Sequence, residues 1–169
     1  MMLAKRRRIG IIIINFILFL TVIALQTGNL IDISIKNVAP MLLLPLITAF
    51  SVFNSVGICA IAGFVSGAFI DSITIGSYCF NTIVFLVIAV GVNVIANSLF
   101  NKNLLSTVTL ALITSGFYFV LRWMCFHIGG QSVEDILGYL LDFAFPSAVY
   151  SAAFIFPFYF LYRYFSKLE

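Results

Sequence analysis

The sequence contains few of the residue types that carry catalysis. Only 9% of the 169 residues are charged, and there is a single histidine. The three cysteines, Cys59, Cys79 and Cys125, form no CxxC pair, so we predict neither a disulfide framework nor a metal site. The glycine-rich phosphate loop, the HExxH helix and the GxSxG elbow are all missing from the sequence. The net charge of +3 is too small to indicate nucleic acid as a partner. We therefore expect no catalytic residue, no cofactor and no bound metal.

Hydrophobic residues dominate the chain. They make up 63% of it and recur in runs of about 20 residues, the length that crosses about 30 Å of hydrocarbon. A soluble domain could not keep so much apolar surface away from water. The sequence therefore predicts an all-α integral membrane protein.

Short polar connections divide the chain into predicted spans. The nearly uncharged segment 38–71 would be about 50 Å long as one helix, so we divide it near Asn54. Ser132 and Asp135 resemble a capping box, which predicts an interfacial helix at about 133–145 that ends before Pro146. Pro157 predicts a kink in the last span. Residues 1–169 are thus expected to form a single compact bundle of six transmembrane helices. The six predicted spans are 9–26, 38–54, 56–71, 79–100, 104–126 and 147–164.

The basic residues predict the orientation of these spans. With six spans and the first helix entering from the cytoplasm, seven basic residues lie on the cytoplasmic side and two outside. This distribution satisfies the positive-inside rule and predicts that both termini are cytoplasmic. The seven are Lys5, Arg6, Arg7, Arg8, Lys102, Arg163 and Lys167, and the two are Lys36 and Arg122.

The stretch GFVSGAFID at 63–71 contains two glycines and an acid on one side of the third span. Gly63, Gly67 and Asp71 are four residues apart, so they lie close together on a helix surface. The small glycines let a neighbouring helix approach closely. Asp71 could belong to an ion or proton relay, or it could accept hydrogen bonds from the following connection or from Asn81. We favour the structural interpretation, because the spans contain no second acid.

Further polar residues lie within or near the fourth and fifth spans. Asn93 and Asn97 are four apart and are interpreted as polar contacts between helices rather than a ligand site. Arg122, near the outer end of the fifth span, could pair with Asp142 or Glu134.

Several segments together resemble the rod shape-determining protein MreD family. They are the basic N-terminal region with its apolar helix ending at Gln26, the stretch from Gly63 with Gly67, Asp71 and Gly76, and the closing FPSAVYSAAFIFPFYFLYRYF. The resemblance covers nearly the whole chain. Members often have an asparagine at the position of Ser151, and this departure argues against a specific role for that residue.

The resemblance implies a fold and a function. The fold would be a six-helix bundle similar to the substrate-binding S components of energy-coupling-factor vitamin transporters. The protein would be a non-catalytic subunit of the cell-elongation machinery in the bacterial cytoplasmic membrane. Its implied partners are the bitopic protein MreC, MreB filaments, the glycosyltransferase RodA, a class B penicillin-binding transpeptidase and the surrounding lipid.

An S component of a vitamin transporter is the alternative that the shared fold leaves open. Such proteins dock on their transporter through small residues spaced AxxxA in the first helix, whereas the first span here is bulky throughout. The outer segments nevertheless offer Arg122, Trp123, His127 and Gln131 as candidate lining of a vitamin cavity.

Overall fold

The computed structural model of the chain consists of helices and the short connections between them in the part that it describes, which comprises residues 2–27, 40–74, 76, 78–98, 103–127, 138 and 140–166. A π-helical turn, Leu140–Ala144, leads directly into the sixth α-helix. The α-helices are α1 (Met2–Thr27), α2 (Leu43–Phe53), α3 (Val56–Ile73), α4 (Phe80–Ser98), α5 (Leu104–His127), α6 (Phe145–Ala153) and α7 (Ile155–Ser166).

Five helical segments of the described chain are long and apolar enough to cross a membrane. They are Gly10–Thr27, Val56–Ile73, Phe80–Ser98, Leu104–Cys125 and Asp142–Ser166, the last of which combines α6 and α7. The predicted count of six is not confirmed, because α2 has only 11 residues. At about 1.5 Å per residue it is about 17 Å long, well short of the hydrocarbon thickness of about 30 Å.

The short helix α2 forms the centre of the bundle. Ten consecutive residues of this helix, from Leu43 to Val52, are buried. It packs against α1, α3, α4, α5, α6 and α7. A helix that is apolar on all sides is expected in the interior, and the sequence LLPLITAFSVF has that character.

The last predicted span is broken into α6 and α7 at Phe154. The N–H of Phe154 donates to the carbonyl of Ser151, which closes a tight turn at the end of α6. The break lies three residues before Pro157, where we predicted a kink. A proline has no N–H and its ring clashes with the carbonyl four residues earlier, here that of Ala153, the last residue of α6.

Some predictions fall on parts of the chain outside the described residues. Ser132, Glu134 and Asp135 lie outside the described residues, as does most of the predicted interfacial helix at 133–145. Residues 140–144 of that predicted helix form the π-helical turn. Gln131 and the basic residues Lys36, Lys102 and Lys167 also lie outside the described ranges.

Candidate functional site

Helices α3 and α4 form a hairpin in which the glycine side of α3 touches the backbone of α4. A Cβ atom built on Gly63 would lie 2.6 Å from the carbonyl oxygen of Phe85. One built on Gly67 would lie 2.5 Å from the Cα of Thr82 and 2.6 Å from the carbonyl oxygen of Asn81. Backbone atoms cannot rotate away as a side chain could, so this approach requires glycine at both positions.

Asp71 continues this contact at the end of α3, where its carboxylate accepts four hydrogen bonds from the start of α4. Oδ1 accepts from the backbone N of Asn81 at 3.2 Å and from its Nδ2 at 2.9 Å. Oδ2 accepts from the backbone N of Thr82 at 2.7 Å and from its Oγ1 at 2.6 Å. Asn81 and Thr82 are the second and third residues of α4, whose N–H groups have no partner within the helix. Asp71 therefore caps α4 from the neighbouring helix, and its negative charge lies at the positive end of the α4 dipole.

The residues directly before α4 explain why the cap comes from another helix. A helix usually begins after Ser, Thr, Asp or Asn in extended conformation. Here the position is taken by Cys79, which has a φ of 64°, after Tyr78 with a φ of 41°. The preceding Gly76 has a φ of 85°, in the left-handed region that glycine tolerates best. The side chain of Cys79 has no oxygen that could accept from these N–H groups, and Asp71 supplies the acceptors instead.

A chain of hydrogen bonds connects this cap to α5. The hydroxyl of Tyr118, a fully buried side chain, donates to Oδ1 of Asn81 at 2.8 Å. The same hydroxyl accepts from Nη1 of Arg122 at 3.1 Å. Every donor thus points from the guanidinium towards the carboxylate of Asp71, an order in which neighbouring bonds polarise one another favourably.

Arg122 therefore has a partner that we did not predict. Glu134 lies outside the described residues, and the described part of the chain shows no ion pair between Arg122 and Asp142. The arginine instead reaches the hydroxyl of Tyr118, one helical turn earlier on the same face of α5.

The surface of the hairpin turn bears an open cleft of about 630 Å³ next to Asp71. Tyr78 lines this cleft and is 91% exposed, although its ring is large and partly apolar. The cap on α4 holds the backbone that presents this side chain. Tyr78 is thus an exposed aromatic residue three positions before the capped Asn81.

The sequence model of the family described as rod shape-determining protein MreD matches residues 6–168. The chain belongs to the MreD family. This confirms the resemblance noted in the sequence, and with the five apolar segments it makes the chain a multi-pass membrane protein of a family that determines rod shape. No curated protein and no solved structure matches the chain.

The other end of the α3–α4 hairpin in this MreD family member is held by Asn93. Its Nδ2 donates to the carbonyl oxygens of Ser51 and Asn54, each at 2.7 Å. These carbonyls lie at the C-terminal end of α2, where a helix leaves its last acceptors without backbone partners. Asn97 donates from Nδ2 to Oδ1 of Asn93 at 3.2 Å and so supports the amide from one turn away. Asn93 thus closes the α2–α3 turn, as Asp71 closes the α3–α4 turn.

Two contributing residues were missed or underestimated from the sequence. Ser151 is fully buried, and its Oγ accepts a hydrogen bond at 2.8 Å from the backbone N of Met41, 110 residues away. We expected no specific role for Ser151, yet a hydroxyl can supply the acceptor oxygen that an asparagine would offer here. Tyr118 was not singled out at all. The only hint was that a tyrosine in an apolar helix usually finds a partner for its hydroxyl.

The described residues contain no group of three or more His, Cys, Asp or Glu side chains that could hold a metal ion.

Proposed function

We propose that this member of the MreD family is a non-catalytic subunit of the bacterial cell-elongation machinery that binds MreC and helps to organise lateral peptidoglycan synthesis. The observation that carries the proposal is the placement of Asp71. Its carboxylate accepts four hydrogen bonds from α4 and is used in holding the hairpin together. A catalytic acid or base must instead reach a proton of its substrate. Such an arrangement suits a rigid membrane scaffold.

The wider assembly in this proposal includes MreB, RodA and a class B penicillin-binding transpeptidase, in the bacterial inner membrane. The excess of basic residues on one side supports a topology with cytoplasmic termini. In that topology, which requires that the short helix α2 also crosses the membrane, the α3–α4 turn lies on the outer side, and its exposed Tyr78 is a candidate contact for the outer part of MreC.

Vitamin transport is the less favoured alternative. It relied on Arg122, Trp123, His127 and Gln131 as lining of an outward cavity, and Gln131 lies outside the described residues. In the structure Trp123 is buried and Arg122 donates to Tyr118, so neither observation favours a vitamin site. No second function is proposed.

Site-specific photocrosslinking to MreC in a rod-shaped bacterium tests the proposal. A photoreactive amino acid at Tyr78 should yield an adduct with MreC, and depletion of the protein should give rounded cells. The control is the same amino acid at Ile113, a 64% exposed position on α5. An adduct at Ile113 but not at Tyr78 would show that MreC contacts α5 rather than the α3–α4 turn. No MreC adduct at either site, with normal cell shape and vitamin-dependent growth after depletion, would refute the proposed function and favour transport.

A further inference from the structure

Helix α1 carries one amide side chain in its apolar part, that of Asn15. The other residues from Ile11 to Leu20 are all aliphatic or aromatic. Oδ1 of Asn15 is buried and has no hydrogen-bond partner among the described residues. A buried polar atom without a partner is unfavourable, and the hydrocarbon core of a membrane offers it none. A donor next to this oxygen would therefore stabilise the bundle.

The hydroxyl of Tyr162, on α7, is in the same situation. Only 2% of this residue is exposed, and its hydroxyl oxygen has no hydrogen-bond partner in the part of the chain that the structure describes. The rings of Phe50 and Phe165 pack edge to face against it, with centroids 5.5 Å and 6.2 Å away. These rings hold the tyrosine in position but offer its hydroxyl no oxygen or nitrogen atom. A buried tyrosine usually does find a hydrogen-bond partner.

Asn15 and Tyr162 line one small cavity between α1, α2 and α7, which we call the α1–α7 cavity. Its volume is about 10 Å³. That is close to the smallest volume that holds one water molecule, about 10–15 Å³, and is too small for a lipid chain or another organic ligand. A buried water also needs at least about two polar partners, and the two oxygens supply them. The other lining residues are Ile11, Phe53, Asn54, Phe165 and Ser166.

Two of these other residues describe the surroundings of the cavity. Asn54 is used in the α2–α3 turn, because its Nδ2 donates to the carbonyl of Phe50 at 2.8 Å and its own carbonyl accepts from Nδ2 of Asn93 at 2.7 Å. Ser166 is the last residue of α7 and is exposed. The cavity therefore lies at one end of the bundle, where a water molecule can enter without crossing the apolar core.

We propose that one ordered water molecule occupies the α1–α7 cavity, where it donates a hydrogen bond to Oδ1 of Asn15 and accepts one from the hydroxyl of Tyr162. Helix α1 packs against α2 and α3, and the water adds a link to α7. This link lies next to the part of α1 where Ile12 and Phe16 are exposed. The proposal is independent of MreC binding, because the cavity adjoins the α2–α3 turn, at the opposite end of α3 from Tyr78.

A crystal structure of the full chain, at a resolution that shows ordered waters elsewhere in the bundle, tests the site directly. We expect a water peak about 2.5–3.2 Å from both Oδ1 of Asn15 and the hydroxyl oxygen of Tyr162. A direct hydrogen bond between the two side chains would overturn the proposal. So would a cavity that another side chain fills, or one that contains no peak.

Thermal unfolding of two variants and their combination tests whether the water links the helices. Tyr162→Phe and Asn15→Leu should each lower the unfolding midpoint by about 2–4 °C, the shift for the loss of about one hydrogen bond in a chain of this size. The double variant should lose about as much as one single variant, because the same bridge can be lost only once. Tyr164→Phe is the matched control: Tyr164 is 60% exposed on the same helix, so its midpoint should not change. Additive losses, or equal midpoints for Tyr162→Phe and Tyr164→Phe, would contradict the bridge.

Discussion

Removing the carboxylate of Asp71 is the sharpest test of the interhelical cap. Asp71→Ala takes away the acceptor of four hydrogen bonds, two of them from backbone N–H groups at the start of α4. Loss of an N-cap costs about 0.5–2 kcal/mol, and a hydrogen bond to a charged group contributes about 1.5–3 kcal/mol. The bonds share one carboxylate at a partly exposed site, so they do not add fully. We expect the free energy of unfolding to fall by about 2–4 kcal/mol.

Two measurements on the purified full chain in detergent check this expectation. The midpoint of thermal unfolding should fall by about 4–16 °C, since 1 kcal/mol corresponds to about 2–4 °C for a chain of this size. The backbone amides of Asn81 and Thr82 should exchange with deuterium about 30-fold faster or more, because 2 kcal/mol corresponds to about that ratio. Asp71→Asn keeps one acceptor oxygen and should show about half of the loss in free energy.

Asp142→Ala is the matched control, because Asp142 is an exposed acid in the π-helical turn before α6. It should leave the midpoint of thermal unfolding and the exchange rates of the Asn81 and Thr82 amides near those of the parent chain. If Asp71→Ala unfolds at the same temperature as the parent chain and its α4 amides exchange at the parent rate, Asp71 does not cap α4 and does not hold the α3–α4 hairpin together.

Three further substitutions, two of them with a matched control, test other contacts of the same hairpin by thermal unfolding and, for the third, also by amide exchange. Gly67→Ala should destabilise the chain by about 1–3 kcal/mol, because its Cβ would meet the backbone of α4. The control Gly91→Ala, where a Cβ has open space, should be neutral or slightly stabilising. Equal effects of the two substitutions would contradict the close approach of α3 and α4. Asn93→Leu should lower the free energy of unfolding by about 1–3 kcal/mol, because two carbonyls of the α2–α3 turn lose their donor. Asn97→Leu should lower it by less, since Asn97 only supports the amide of Asn93. The reverse order would contradict the role of Asn93. Tyr118→Phe should lower the free energy of unfolding by about 1 kcal/mol and speed amide exchange at the start of α4. Unchanged exchange at the start of α4 would show that α5 does not support the cap.

The α3–α4 hairpin could be inferred from the sequence because its parts are local. Gly63, Gly67 and Asp71 are related by the regular spacing of one helix, and Asn81 follows only ten residues after Asp71. Helical periodicity and a short connection therefore restrict which groups can meet. The sequence did not reveal that Asp71 replaces a missing cap, because this depends on the left-handed backbone at Tyr78 and Cys79.

The partners contributed by distant segments could not be inferred in this way. Tyr118 meets Asn81 across 37 residues, and Ser151 meets Met41 across 110. Helical spacing relates residues within one helix and says nothing about which helices are neighbours. In this chain nearly every helix surface is apolar, so the hydrophobic pattern does not distinguish a protein neighbour from lipid.

The sequence by itself determined that the chain is helical, that it belongs in a membrane, and that one side of α3 must touch another helix. These properties follow from composition and from spacing within single helices. Only the tertiary structure decided that the 11-residue α2 lies at the centre, that Arg122 is linked to Asp71 through Tyr118, and that Asn15 and Tyr162 line one cavity. Those outcomes depend on how several apolar helices share their contacts, which is a property of the whole bundle rather than of any one segment.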